Sequence, residues 1–132
     1  MNQRGFATLE VILMVMVIGI LASIAVPRFN NVTTAANTAK IQSDLATIDT
    51  ALAIYYMEQG SYPTQVSQLS DHIRDVANLK PPKGKAYIDG EALDISGDYG
   101  IQAASGNNEA RAILTVGGTA RTAGDFSTQK KN

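Results

Sequence analysis

One carboxylate, Glu10, stands inside the apolar run of residues 6–26, which holds no other charged residue. A glutamate at a bilayer centre costs about 2.5 kcal/mol or more, so its presence there calls for a partner of opposite charge. A cationic amine about 4 Å away would return about 4 kcal/mol at an effective dielectric of 20, which is comparable to that cost. Elsewhere, residues that could do chemistry are sparse. His72 is the sole histidine and cysteine is absent, so thiolate metal sites and disulfides are excluded. Neither a glycine-rich phosphate loop nor paired helical metal ligands can be read, which points away from an enzyme and from any cofactor. Asp89, Glu91, Asp94 and Asp98 supply enough oxygen for Ca²⁺, although acidic turn residues commonly just face water. His72 is expected to face solvent. Asn31-Val32-Thr33 matches a glycosylation sequon within a helical stretch, and Lys80, Lys83, Lys85, Lys130 and Lys131 read as a solvated surface.

The elements that position Glu10 follow from periodicity. Residues 6–26 span roughly 31 Å as a helix, a match to a hydrocarbon core about 30 Å thick. A membrane anchor, a cleaved secretory signal and a buried core helix all fit such a run. Ser23-Ile24-Ala25 ahead of Val26-Pro27, with Arg4 upstream, provides a small-residue site for signal cleavage after Ala25. Downstream, however, Phe29, Val32, Ala36, Ile41, Leu45, Ile48, Leu52 and Tyr55 continue mostly in steps of three and four, the mark of one buried stripe. Thr34, Asn37, Lys40, Gln42, Asp44, Thr47 and Asp49 form the polar face between them. No glycine interrupts this stretch before Gly60, so a single helix is expected over residues 6–57, on the order of 75 Å long. Pro27 lies inside it and predicts a kink, since its ring and missing N–H cost about 3 kcal/mol. Gly19 is a second weak point.

Gly60 and Tyr62-Pro63 end the helix. Thr64 or Ser70 can cap a short helix running to Val76, which Pro81-Pro82-Lys83-Gly84 terminates. Strands are expected at 86–89, 92–95, 99–104, 111–116 and 119–122. Asp89-Gly90, Gly97-Asp98, residues 105–108 and Gly117-Gly118 separate them as turns. The fold class is α+β, with an antiparallel meander covering its apolar face on the stripe Leu45, Ile48, Leu52 and Tyr55. A chain of 132 residues has room for one such domain beyond the membrane segment, and a net charge of −1 gives no signature of a nucleic-acid partner.

"RGFATLE", the apolar run with Gly19, Pro27 and the amphipathic extension together resemble the type IV pilin and type II secretion pseudopilin family. The resemblance covers roughly the first 60 residues, and "GSYP" after the long helix is similar to the helix-to-domain junction of short members. It implies a prepilin peptidase that cuts after Gly5 and N-methylates Phe6, and a Glu10 that meets the terminal amine of a neighbouring subunit. It also implies assembly through Glu10, Gly19 and Pro27, with melting of residues 19–27 in the filament. The implied organisation is a leader (1–5), a transmembrane assembly segment (6–26), the amphipathic half of the helix (27–59) and a globular region (60–132). Implied partners are further copies of the chain in a helical homopolymer, the peptidase, an inner-membrane assembly platform, minor pilins and the membrane itself. The implied location is the cytoplasmic membrane first and a cell-surface filament afterwards. Asp89, Glu91, Asp94 and Asp98 are similar in placement to the calcium loop of secretion pseudopilins. A pilus subunit is the favoured function, because tryptophan is absent. A pseudopilin of a secretion or DNA-uptake system, and a secreted binding module cleaved after Ala25, remain the alternatives.

Overall fold

The computed structural model describes residues 3–131; Met1 and Asn2 of the expected leader lie outside the described residues. The chain divides into two units at residue 33, and one helix, α1 (Gln3–Gln59), belongs partly to each.

In the first unit, residues 3–33, α1 carries no charged side chain between Glu10 and Arg28, and its large apolar side chains are exposed from Phe6 through Val32. Thr8 and Thr33 donate their hydroxyls to the carbonyls of Arg4 (2.8 Å) and Phe29 (3.0 Å), four residues back. Ser23 donates to the carbonyl of Ile20 at 2.7 Å. Intrahelical bonds of this kind leave these hydroxyls satisfied without water. The helix is unbroken through Gly19 and Pro27, so it does not end at Val26.

In the second unit, residues 34–131, α1 buries Thr34, Thr38, Ile41, Leu45, Ile48 and Leu52, in alternating steps of four and three. That stripe differs from the expected one at its N-terminal end. Phe29 is 69% exposed and Ala36 is exposed, whereas Thr34 and Thr38 are buried, Thr34 against its expected place on the polar face. Thr38 explains the exchange. Its hydroxyl donates to the Thr34 carbonyl (2.7 Å) and accepts the Tyr87 N–H (2.8 Å), so it serves a sheet-edge amide that an apolar residue would leave unpaired.

The sheet is a four-stranded antiparallel meander: β1 (Lys85–Ile88), β2 (Glu91–Gln102), β3 (Arg111–Val116) and β4 (Thr119–Arg121), in that spatial order. Asp89 and Gly90, both at positive φ, close the first hairpin, and Gly117-Gly118 closes the third. These are the two-residue connections whose twist suits adjacent strands. Residues 92–95 and 99–104, expected as two strands, are one. Ile95 pairs with Val116 and Tyr99 with Leu114, so Gly97-Asp98 is a bulge within β2, with Gly97 at φ 90°, and not a turn. The expected short helix to Val76 is instead two 3₁₀ turns, Val66–Leu69 and Val76–Asn78. Asp75, at φ 59° in the left-handed region, interrupts any right-handed helix there, and both its carboxylate oxygens accept from the Asn78 side chain at 2.9 Å.

Ala112, Leu114 and Val116 from β3, Ala86 and Ile88 from β1, and Leu69 and Ile73 from the 3₁₀ segment close on the α1 stripe. Phe126 is 1% exposed and completes this core, carried by a C-terminal segment that bridges to Ile88. Each fully buried Leu, Ile or Phe contributes about 1.5–3 kcal/mol.

Candidate functional site

Glu10 lies on α1 with Leu13, Met14, Val17 and Ile18, and together they line a shallow groove of about 410 Å³. The spacing of three and four places all five on one helical face. Among the described residues Glu10 makes no ion pair and no hydrogen bond. Gly5 and Phe6 occupy the first described turns, and a side chain at Gly5 or Gly19 would meet nothing within 4 Å. Phe6 stands four residues before Glu10, one turn away on the same face. Nothing in the first unit covers this surface. One helix among the described residues is long and apolar enough to cross a membrane, and none of its apolar window is buried.

A second uncovered surface lies on the part of α1 in the second unit. Ala36, Ala39, Ser43, Ala46, Thr50, Ile54 and Met57 succeed one another in steps of three and four and are all exposed. At about 100° per residue they fall opposite Ile41, Leu45 and Ile48. Thr50 donates its hydroxyl to the Ala46 carbonyl and Thr47 to that of Ser43, each at 2.9 Å, so the hydroxyls turn back onto the helix. From Ala36 to Thr50 the resulting relief is low, before Ile54 and Met57 stand out beyond it, and small residues of this kind let another helix approach closely.

The flanks of α1 in this unit are not a solvent face. Asn37 donates to the carbonyls of Lys83 (3.1 Å) and Lys85 (3.0 Å), and Gln42 donates to that of Phe126 (2.5 Å). Asp49 accepts the Ala112 N–H at 2.7 Å and lies 3.6 Å from Arg111. Asp44 pairs with Lys40 and accepts the Tyr99 hydroxyl at 2.6 Å. Burial, then the bond to the Asp44 carboxylate, pushes the Tyr99 phenol well above its ordinary value. Amide and carboxylate side chains every few residues were the available signal, but a clamp and a solvated face share that composition.

The four acidic residues proposed for Ca²⁺ are not gathered. They are strung along β2 and its preceding turn at about 3.3 Å per residue, and among the described residues no group of three or more His, Cys, Asp or Glu could hold a metal ion. Asp89 faces Lys131 at 3.7 Å, Asp94 stands opposite Lys85, and Asp98 sits in the bulge. His72 is likewise not solvent-facing. Its side chain is 14% exposed, with Nε2 3.2 Å from the Glu58 carboxylate and the ring edge-on to Tyr55.

Comparison with known proteins finds relatives among secretion and pilus components. The chain is 33% identical over 86 residues to a type II secretion system core protein G of Klebsiella michiganensis, covering 65% of this chain and 59% of that protein. It is 34% identical over 92 residues to the same component of Aeromonas hydrophila, covering 67% and 61%. A type IV narrow pilus major component of Thermus thermophilus is 38% identical over 64 residues, covering 48% and 55%. The chain thus spans about three fifths of the length of the curated relatives it matches. No family model and no solved structure matches it.

Proposed function

We infer, from the premise that this chain is a homologue of type II secretion core protein G and of a type IV pilus major component, that it is a structural subunit polymerised through α1. The observation that carries this reading is the unpaired Glu10 on the uncovered apolar half of α1, continued by the exposed face from Ala36 to Met57. The hydrocarbon interior of a bilayer can cover the first of these surfaces in a lone subunit, but it holds no cation for Glu10. Neighbouring helices can cover both.

Residues 1–5 are then a leader removed after Gly5 by a prepilin peptidase, and Phe6 becomes the N-methylated terminus whose amine pairs with Glu10 of the adjacent copy. Residues 6–26 hold the subunit in the cytoplasmic membrane before an assembly platform and minor pilins draw it into a filament. Residues 27–59 and 60–132 then form the outer part of the shaft. Within the polymer, protein surrounds residues 19–27, so the backbone there can loosen where lipid would forbid it. A pilus and a secretion pseudopilus both meet this description. The pseudopilus reading is favoured by the relatives that are secretion core proteins, and the pilus reading by the relative from Thermus thermophilus.

The test is Glu10→Val in cells that make the filament, with the mature N-terminus sequenced in parallel. Removing the charge leaves membrane insertion unharmed or improved. The expected result is a normal membrane fraction beginning at methylated Phe6 and loss of sheared filament. Equal filament yield would refute the inter-subunit charge pair, and a mature chain beginning at Val26 would replace the reading with a secreted soluble module.

A further inference from the structure

Beyond β2 the chain makes a tip whose polar groups are not used by the fold. Ser105 and Asn108 exchange both backbone hydrogen bonds, at 3.1 and 3.0 Å, around Gly106 at φ 59°. This closes a two-residue turn of the kind that Gly in its first central position permits. Beside it lies a crevice of about 310 Å³ lined by Gln102, Ser105, Asn107, Asn108, Glu109 and Arg111. Among the described residues, the side chains of Gln102, Asn107, Asn108 and Glu109 have no hydrogen-bond partner. Three carboxamides and a carboxylate thus stand on and beside a closed turn with their donors and acceptors open. Arg111 lies 3.6 Å from Asp49, so Glu109 leaves the tip with one uncompensated negative charge.

A smaller crevice adjoins the first through Glu109 and Arg111, and Tyr62 lines it. Tyr62 is stacked on Tyr56 with ring centroids 4.4 Å apart, which fixes an aromatic shelf in the smaller crevice that shares Glu109 and Arg111 with the polar one. Each carboxamide offers a donor and an acceptor side by side, the complement of an acetamido group or of neighbouring hydroxyls. An aromatic edge suits the apolar C–H face of a sugar ring, and the uncompensated Glu109 carboxylate disfavours a polyanion. The volume is at the low end for ligand sites, roughly 300–1,000 Å³, which suits a short glycan segment.

We propose that this tip, Gln102 to Arg111 with the Tyr62 shelf, binds neutral, N-acetylated oligosaccharide. The site lies wholly within the second unit and uses no residue of the proposed assembly surfaces, so it stands or falls separately from polymerisation. The test is ¹H–¹⁵N NMR of the full chain in detergent micelles titrated with the N-acetylglucosamine trimer. The expected result is shifts of the Gln102, Asn107 and Asn108 side-chain amides with a Kd of about 1 mM, unchanged by added salt because the saccharide is uncharged. Asn107→Ala with Asn108→Ala should abolish the shifts while the remaining amide spectrum stays in place, and Tyr62→Ser should weaken binding at least about tenfold. Absence of shifts up to about ten times that concentration would overturn the proposal. Shifts that persist in the double alanine variant, or that vanish in salt, would overturn it too.

Discussion

Val17 and Leu45 sit on the same helix, yet the first is 55% exposed and the second has no exposed surface. The difference lies in what each half of α1 is given by its own chain. In residues 34–131 the sheet, the 3₁₀ segment and Phe126 arrive to cover one stripe, and Asn37, Gln42, Asp44 and Asp49 bind the strands on either flank. In residues 3–33 nothing arrives, and Glu10 has neither a cation nor a donor among the described residues. Burial in the second unit is therefore an intramolecular matter. In the first it must come from a membrane or from other molecules.

Truncating these same two side chains puts the contrast to its most direct test. Leu45→Ala should destabilise the second unit by about 2–5 kcal/mol, the usual penalty for a cavity under a buried leucine. Val17→Ala should move it by less than about 0.5 kcal/mol. Urea unfolding of the full chain in detergent, followed by the amide signals of β3, measures both; equal losses would mean that the two halves are not independent.

A smaller effect is expected at Thr38. Thr38→Val keeps the shape but strands the Tyr87 N–H, at a cost of about 1–3 kcal/mol. The same unfolding measurement checks it, and an unchanged midpoint would show that this amide finds another acceptor.

The smallest effect concerns alkaline pH. The Tyr99 phenol is raised in the folded state above its ordinary value of 10.0, so the unfolded chain gives up that proton first. The stability contribution is complete below about pH 10 and declines as pH rises beyond it. Tyr99→Phe should remove this part of the decline as pH rises above about 10, at some loss of neutral stability from the missing bond to Asp44. Parallel wild-type and variant profiles would show that the phenol does not titrate late.

Much of the architecture can be read from residue order alone. The span of α1, β1, β3 and the hairpin turns at Asp89-Gly90 and Gly117-Gly118 follow from periodicity and from residues that tolerate positive φ. The errors have physical causes. Gly97-Asp98 looks like a turn because a bulge and a turn both favour a glycine at positive φ; only the partner strand distinguishes them, by pairing with both sides. Thr34 and Thr38 look polar, and Phe29 and Ala36 look buried, because hydropathy cannot reveal a strand amide in need of an acceptor. Of the candidate site, the Glu10 anomaly was legible, since a lone carboxylate in an apolar run is conspicuous. The acidic set on β2 was not, because closeness in sequence along an extended strand is separation in space. The role of Phe126 was hidden by its isolation among polar neighbours.

Phe126 bears on the order in which the chain becomes a folded object. A polypeptide emerges N-terminus first, and domains close as units when their parts are present. The Gln42 side chain meets the Phe126 carbonyl across 84 positions, so the core stays open until almost all of the second unit has been delivered. Closing so long a loop is slow relative to forming a helix. The apolar helix is therefore available for insertion well before the domain behind it can complete its core. A chain broken off between residues 121 and 126 would have the helix and all four strands but an unsealed interior.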